Sequence, residues 1–246
     1  MQERKELRVE SSKNEADVRP VTATKREKST PVPQQTHKNL SELNWISAMP
    51  DSLFFTDTTI SDSPVVYTGA TTFSRRELDT KITAITLSLA RRGYTKGDRI
   101  AVWSTSIFDC VCLLPALLRL GAVAVPVSTR FPAVQVSSLL EGIGCTALIT
   151  DTPEAFLDTP FAVLPLSDYT HIPENSSVDL QYAISAENEA TILFTSGSTG
   201  TPKAVLHTLD AHLYSARGSQ ENIPLAPGDT WLLSLPLYHI GGYAIL

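Results

Sequence analysis

The segment Thr195-Ser196-Gly197-Ser198-Thr199-Gly200-Thr201-Pro202-Lys203 gathers hydroxyls, two glycines and a lysine in an order suited to binding polyphosphate. Gly197 and Gly200 let the backbone turn with positive φ, so that its N–H groups approach anionic oxygens. Ser196, Ser198, Thr199 and Thr201 add hydroxyl donors, and Lys203 adds a positive charge. Such a loop would hold the β- and γ-phosphates of ATP, with Thr199 in reach of a bound magnesium ion.

Two other readings compete for these residues. A Walker A loop requires G-x-x-x-x-G-K-[ST], but here Pro202 precedes the lysine and Ala204 follows it. A flexible Ser/Gly/Thr hairpin is the plainer alternative, because hydroxyl-rich turns are common. The order strand, glycine loop, Pro-Lys, strand favours the phosphate reading. A second cluster, Trp231 to Gly242, reads as a buried strand that ends at Pro236 and presents Tyr238 and His239 beside Gly241-Gly242. A lone histidine is often only a structural residue. No G-x-S-x-G elbow accompanies His239 to make it the base of a serine hydrolase.

Elements that could position these groups follow from the hydrophobic pattern. Ser74 and Glu77 have capping-box spacing, and Leu78, Ile82, Ile85 and Leu89 then form one helical face that stops near Gly93. Strands are expected at Ile100–Ser104, Ala122–Val127, Thr146–Thr150 and Ala190–Phe194. Helices are expected at Phe108–Leu120, Ala133–Glu141 and Leu209–Gly218. This alternation predicts an α/β protein whose parallel βαβ sheet is covered by helices on both faces. The proline-bearing stretch from Asp151 to Asn188, with one strand near Phe161–Leu166, is expected to join two subdomains.

Composition narrows the function. The chain has 246 residues, 42% of them hydrophobic, and a net charge of −6, which disfavours nucleic acid as the main partner. Residues 1–40 are polar, charged and almost free of large apolar side chains, which predicts a disordered tail ahead of a domain over 41–246. Cys110, Cys112 and Cys145 lack the paired spacing of a zinc site and are too few for a disulfide scaffold. Cys110 and Cys112, in an apolar run, read as core thiols, and the expected location is cytoplasmic. The most apolar run, Val111–Leu118, is too short to span a membrane.

The segment Thr195 to Lys203 resembles the phosphate-loop signature of the adenylate-forming superfamily of acyl-CoA synthetases, luciferases and peptide-synthetase adenylation domains. Phe73-Ser74-x-x-Glu77-Leu78, Lys96-Gly97-Asp98-Arg99-Ile100-Ala101 and Leu120-Gly121-Ala122-Val123-x-Val125-Pro126-Val127 are similar to its early helix start, turn and strand junction. The likeness runs from about Leu53 to Leu246. Within the superfamily, Pro202-Lys203-Ala204, His207-Thr208, Ala211-His212-Leu213 with Ser215-Ala216, and Trp231 to His239 resemble o-succinylbenzoate–CoA ligases of menaquinone biosynthesis.

The resemblance implies that a carboxylic acid attacks the α-phosphate of Mg-ATP, giving an acyl-adenylate, and that coenzyme A then displaces AMP. It implies phosphate contacts from Thr195, Ser196, Gly197, Ser198, Thr199, Gly200 and Lys203, with Lys203 and His239 catalytic. His239 would lie where the acyl pocket meets the phosphates, and Gly241 and Gly242 would leave room for the acyl group. The superfamily's later Tyr-Gly-x-Thr-Glu segment, ribose aspartate, hinge and lysine-bearing carboxy-terminal domain do not occur in this sequence. The chain is therefore expected to be a truncated, incomplete amino-terminal domain, inactive alone. A non-catalytic nucleotide-binding module and an adenylation domain that loads a carrier protein are the alternatives.

Overall fold

Ser74 and Glu77 begin the first long helix as their spacing predicts. The structure, a computed structural model, describes residues 62–69, 71–170, 185–195, 202–224, 226 and 228–246. All of these fall in one compact unit, Leu43–Leu246. The expected tail over 1–40 and the loop residues Ser196, Gly197, Ser198, Thr199, Gly200 and Thr201 lie outside the described residues.

Strands β1 (Pro64–Tyr67) and β2 (Thr72–Ser74) form a small antiparallel hairpin that feeds helix α1 (Arg75–Arg91). The Ser74 amide donates to Glu77 Oε2 at 2.7 Å, and the Glu77 amide donates to Ser74 Oγ at 3.2 Å. Both halves of the capping box are thus made, which satisfies donors that the first turn leaves without partners. The stripe Leu78, Ile82, Ile85 and Leu89 is buried. Within that face the fully buried Thr86 hydroxyl is placed to donate to Ile82 O at 2.9 Å or Ala116 O at 3.1 Å, the second acceptor lying on helix α2 (Ile107–Leu120).

The main sheet has six strands in the order β6-β5-β3-β4-β7-β8. They are β3 (Arg99–Trp103), β4 (Val123–Pro126), β5 (Ala147–Thr150), β6 (Ala162–Pro165), β7 (Glu189–Thr195) and β8 (Lys203–Thr208). The first five run parallel, and β8 returns antiparallel to β7. Helix α3 (Ala133–Gly142) links β4 to β5, α4 (Ser167–Thr170) follows β6, α5 (Leu209–Asn222) follows β8, and α6 (Ile240–Tyr243) lies near the end of the chain.

Alternation along the strands divides the core in two. Ile100, Val102, Ala124 and Ile149 pack with α1 and α2, whereas Ala101, Val125, Leu148 and Ile192 pack with Val136 and Leu140 of α3. Strands buried on both faces need continuous apolar sequence, which is why these read as unbroken runs. Leu113, Leu114, Leu117 and Leu120 of α2 are completely buried, each stabilising the fold by roughly 1.5–3 kcal/mol.

The two remaining motifs of the family resemblance touch each other. Gly121 ends α2 with φ 76°, a left-handed conformation, and its N–H returns to Leu117 O and Leu118 O. Its carbonyl accepts from the Gly97 amide at 2.9 Å, and a Cβ at Gly121 would stand 3.2 Å from Lys96 Cβ. Glycine is required there by conformation and by close approach at once.

Two expectations fail. The stretch from Asp151 to Asn188 does not join two subdomains, because β6 and β7 both enter the same sheet, β6 beside β5 and β7 beside β4. Trp231–Pro236 is not a buried strand: Trp231, Leu232 and Leu235 are 46%, 79% and 52% exposed. Among the described residues no strand pairs with it. An apolar run of strand length records a demand for burial but cannot supply the neighbouring edge.

Candidate functional site

The candidate groups collect along one edge of the sheet. Because β3, β4, β5 and β7 are parallel, their carboxyl ends lie together, and β8 starts at that same edge. Thr195 is the last residue of β7 and Lys203 the first of β8, and the two are register partners. Thr195 Oγ1 donates to Lys203 O at 3.4 Å. Residues 196–201 thus connect two strands that pair antiparallel. A Walker A loop runs from strand into helix, so the topology excludes that reading. Thr195 and Lys203 are both exposed, and among the described residues no ion pair uses Lys203.

His239 precedes α6 and is exposed. Its amide donates to Pro236 O at 3.0 Å, its carbonyl accepts from the Gly242 and Tyr243 amides, and its ring lies 4.7 Å from that of Tyr238. Among the described residues no hydrogen bond, ion pair or ring contact joins His239 to Thr195 or Lys203. The structure therefore brings Thr195 and Lys203 together, and presents His239 separately on the segment that follows Pro236.

Gly242 serves close packing. A Cβ there would fall 2.2 Å from Pro236 O and 2.6 Å from Leu235 O. Gly242→Ala must therefore displace the turn that carries Tyr238 and His239. We expect a loss of about 2 kcal/mol in urea unfolding, as for overpacked core sites. An unchanged midpoint would mean that the turn is loosely held.

Sequence reasoning gave no role to two groups, although His212 stood within a motif of the family likeness. Asp151, just after β5, accepts hydrogen bonds from Ser104 Oγ at 3.0 Å, the Thr105 amide at 3.0 Å and Thr105 Oγ1 at 3.1 Å. One carboxylate thereby fixes the connection that leaves β3 for α2. The available signal was an aspartate directly after the apolar strand Ala147–Thr150, at the edge where α/β proteins bind ligands.

His212 of α5 is the second. Its Nε2 lies 2.7 Å from Oγ1 of the fully buried Thr191, and its ring stands 5.4 Å from His207 and 5.0 Å from Tyr243. Burial, and then the neighbouring His207, push its pKa down from 6.5 to about 4. Between these values the unfolded chain binds the proton that the folded chain rejects. The stability due to neutral His212 is thus complete above about pH 6.5 and is lost as pH falls through about 4. The thermal midpoint should drop more steeply from pH 7 to 4.5 in the parent than in His212→Asn. Parallel profiles would remove His212 from the acid response.

Cys110, Cys112 and Cys145 are free and buried, and burial pushes the first two thiols up to about 12. They are core thiols, as Cys110 and Cys112 read from sequence. None of the helices formed by the described residues is long and apolar enough to cross a membrane.

A 2-succinylbenzoate–CoA ligase of Bacillus cereus is 32% identical over 170 residues, covering 69% of this chain and 35% of that ligase. The corresponding ligase of a Geobacillus species is 31% identical over 182 residues, covering 74% of this chain and 37% of its own length. The chain thus spans about a third of the length of the curated relatives it matches. Among solved structures, o-succinylbenzoate coenzyme A synthetase of Bacillus subtilis in complex with AMP superposes with a TM-score of 0.69 at 25% identity, covering 82% of this chain and 51% of that one. The same enzyme in complex with ATP and magnesium gives 0.63 at 26% identity, over 71% and 47%. The AMP-binding enzyme family matches residues 56–246, which take in the whole sheet, the Thr195–Lys203 hairpin and the His239 turn; the chain belongs to that family.

Proposed function

We propose that this chain supplies the ATP-handling part of an AMP-forming acid–CoA ligase acting on o-succinylbenzoate. The observation that supports the reading is the pairing of Thr195 with Lys203, the two residues that flank the glycine- and hydroxyl-rich segment, at the carboxyl edge of the sheet. In the first step a carboxylate oxygen attacks the α-phosphorus of ATP, and pyrophosphate leaves with the bonding electrons. In the second, the thiolate of coenzyme A attacks the acyl carbon, and AMP leaves.

The residues present fit a polyphosphate. Lys203 is exposed, and among the described residues it is in no ion pair, so its charge is available to an anion. The backbone amides and hydroxyls of Thr195, Ser196, Gly197, Ser198, Thr199 and Gly200 would hold the leaving pyrophosphate, and Lys203 would offset its growing charge. Magnesium, in reach of Thr199, would neutralise phosphate charge. His239 would orient the acid carboxylate towards the phosphates. Because ATP and coenzyme A are pools of the cell interior, the reaction is placed in the cytoplasm.

The test is pyrophosphate release by the full-length ligase that carries this chain, over a panel of carboxylic acids. We expect o-succinylbenzoate to be turned over fastest. Preference for another acid would overturn the substrate, and acid-independent ATP binding without release would favour a binding module. The 246-residue chain alone, whose match covers about a third of its relatives' length, should make no AMP over many turnovers.

A further inference from the structure

Thr195 and Lys203 stand in one place and His239 in another, and one buried side chain meets the supports of both. Alternation puts Thr191 and Thr195 on one face of β7, and their register partners His207 and Lys203 on the matching face of β8. His212 of α5 lies over this face. Its Nε2 is 2.7 Å from Thr191 Oγ1, and its ring is 5.4 Å from that of His207. The same ring stands 5.0 Å from that of Tyr243, a buried residue of α6.

Tyr243 ends the segment that carries His239. Its amide donates to His239 O at 2.9 Å, so a single helical turn separates the two residues. Leu237 anchors the start of that segment in the core, and Tyr243 anchors its end. The Tyr243 hydroxyl has no hydrogen-bond partner among the described residues, so the side chain is held by the packing of its ring. The groups facing His212 suit an uncharged imidazole: β7 offers a threonine, β8 a second histidine and α6 the tyrosine. Asp210, on the same helix, is engaged by the Thr208 hydroxyl. Among the described residues no carboxylate offsets a positive charge on the ring.

We propose that His212 is a positioning residue: it ties the β7–β8 pair that flanks the phosphate segment to the turn that presents His239, and so fixes their relative placement. Neutral His212 bonds Thr191 and packs on Tyr243 at once. Loss of either contact frees the α6 end of the turn, while sheet hydrogen bonds keep Thr195 and Lys203 in place. The consequence for an acid substrate rests on the ligase reading above, in which His239 meets the carboxylate; the link itself does not.

Two measurements separate the link from its consequence. In the 246-residue chain, proton–carbon NMR of the histidine rings reads the surroundings of His239 without turnover. His212→Leu should move the His239 signal, and His212→Gln, which can still bond Thr191, should return it towards its unsubstituted position. Thr191→Val keeps the side-chain volume and removes only the hydroxyl, so it carries the test if His212→Leu fails to fold. In a ligase that carries this chain, His212→Leu should raise KM for the acid at least fivefold and KM for ATP less than twofold, and His212→Gln should restore it. A substitution that merely lowers the folded fraction would reduce kcat and leave both KM values alone. That result, or a His239 signal unmoved in the folded variants, would overturn the assignment. Absence of acid-dependent turnover by the unsubstituted ligase would instead overturn the ligase reading, and the NMR comparison would still decide the link.

Discussion

On the proposed ligase function, Lys203→Ala in a ligase that carries this chain should slow acid-dependent pyrophosphate release by roughly 10²-fold or more, the scale of losing one charged donor to a developing anion. The expectation follows from position. Lys203 opens β8 directly opposite Thr195, so both ends of the glycine loop are held by sheet hydrogen bonds and the lysine stands at its base. In the proposed reaction pyrophosphate gains charge as it leaves, so the lysine would help the transition state more than bound ATP. The fall should therefore appear mainly in kcat, with a smaller rise in KM for ATP. Lys203 is exposed, and surface substitutions away from special features change stability by less than about 0.5 kcal/mol, so the folded fraction should be unaffected. Arginine should restore part of the rate, because the charge returns in a different shape. An unchanged rate in a well-folded Lys203→Ala variant would remove this residue from the mechanism.

That prediction draws on the part of the molecule that was easiest to read. The capping box at Ser74 and Glu77, the apolar stripe of α1, the left-handed turn at Gly121 and the two-sided strands β3, β4 and β5 all announce themselves locally. Each is fixed by residues close together in the chain. The hairpin was legible for the same reason, since strand, glycine loop and strand are contiguous.

What escaped reading depends on distant partners. Asp151 matters because β5 lies beside β3, which places its carboxylate on Ser104 and Thr105, nearly fifty positions earlier. His212 entered the sequence reading only within a segment of family likeness, and its depressed pKa arises only when α5 packs it on Thr191 beside His207. The mistaken strand at Trp231–Pro236 is the converse case. Its apolar pattern was real, with Leu237 buried and Leu233 packed on the core, but a strand needs an adjacent edge that no local pattern reports.

The same dependence on distance gives Asp79→Ala the largest expected effect on stability. Asp79 of α1 pairs with Arg119 of α2 across the helix interface, and Arg119 Nη1 also donates to Thr83 Oγ1 at 2.8 Å. The side chains are only 17% and 9% exposed, so water screens the pair weakly. Removing the carboxylate takes the Asp79 charge away from a guanidinium that is largely out of water, which costs about 3 kcal/mol at comparable buried pairs. Most of that cost is the poorer compensation of the buried Arg119 charge rather than the worth of the pair. Asp79→Ala combined with Arg119→Met should therefore recover much of the loss, because the methionine stem fills similar space without a charge to desolvate. Urea unfolding of the two single variants and the double variant measures this directly. If Asp79→Ala costs less than about 1 kcal/mol, as exposed pairs do, the interface between α1 and α2 is held by Thr86 and the leucine packing alone.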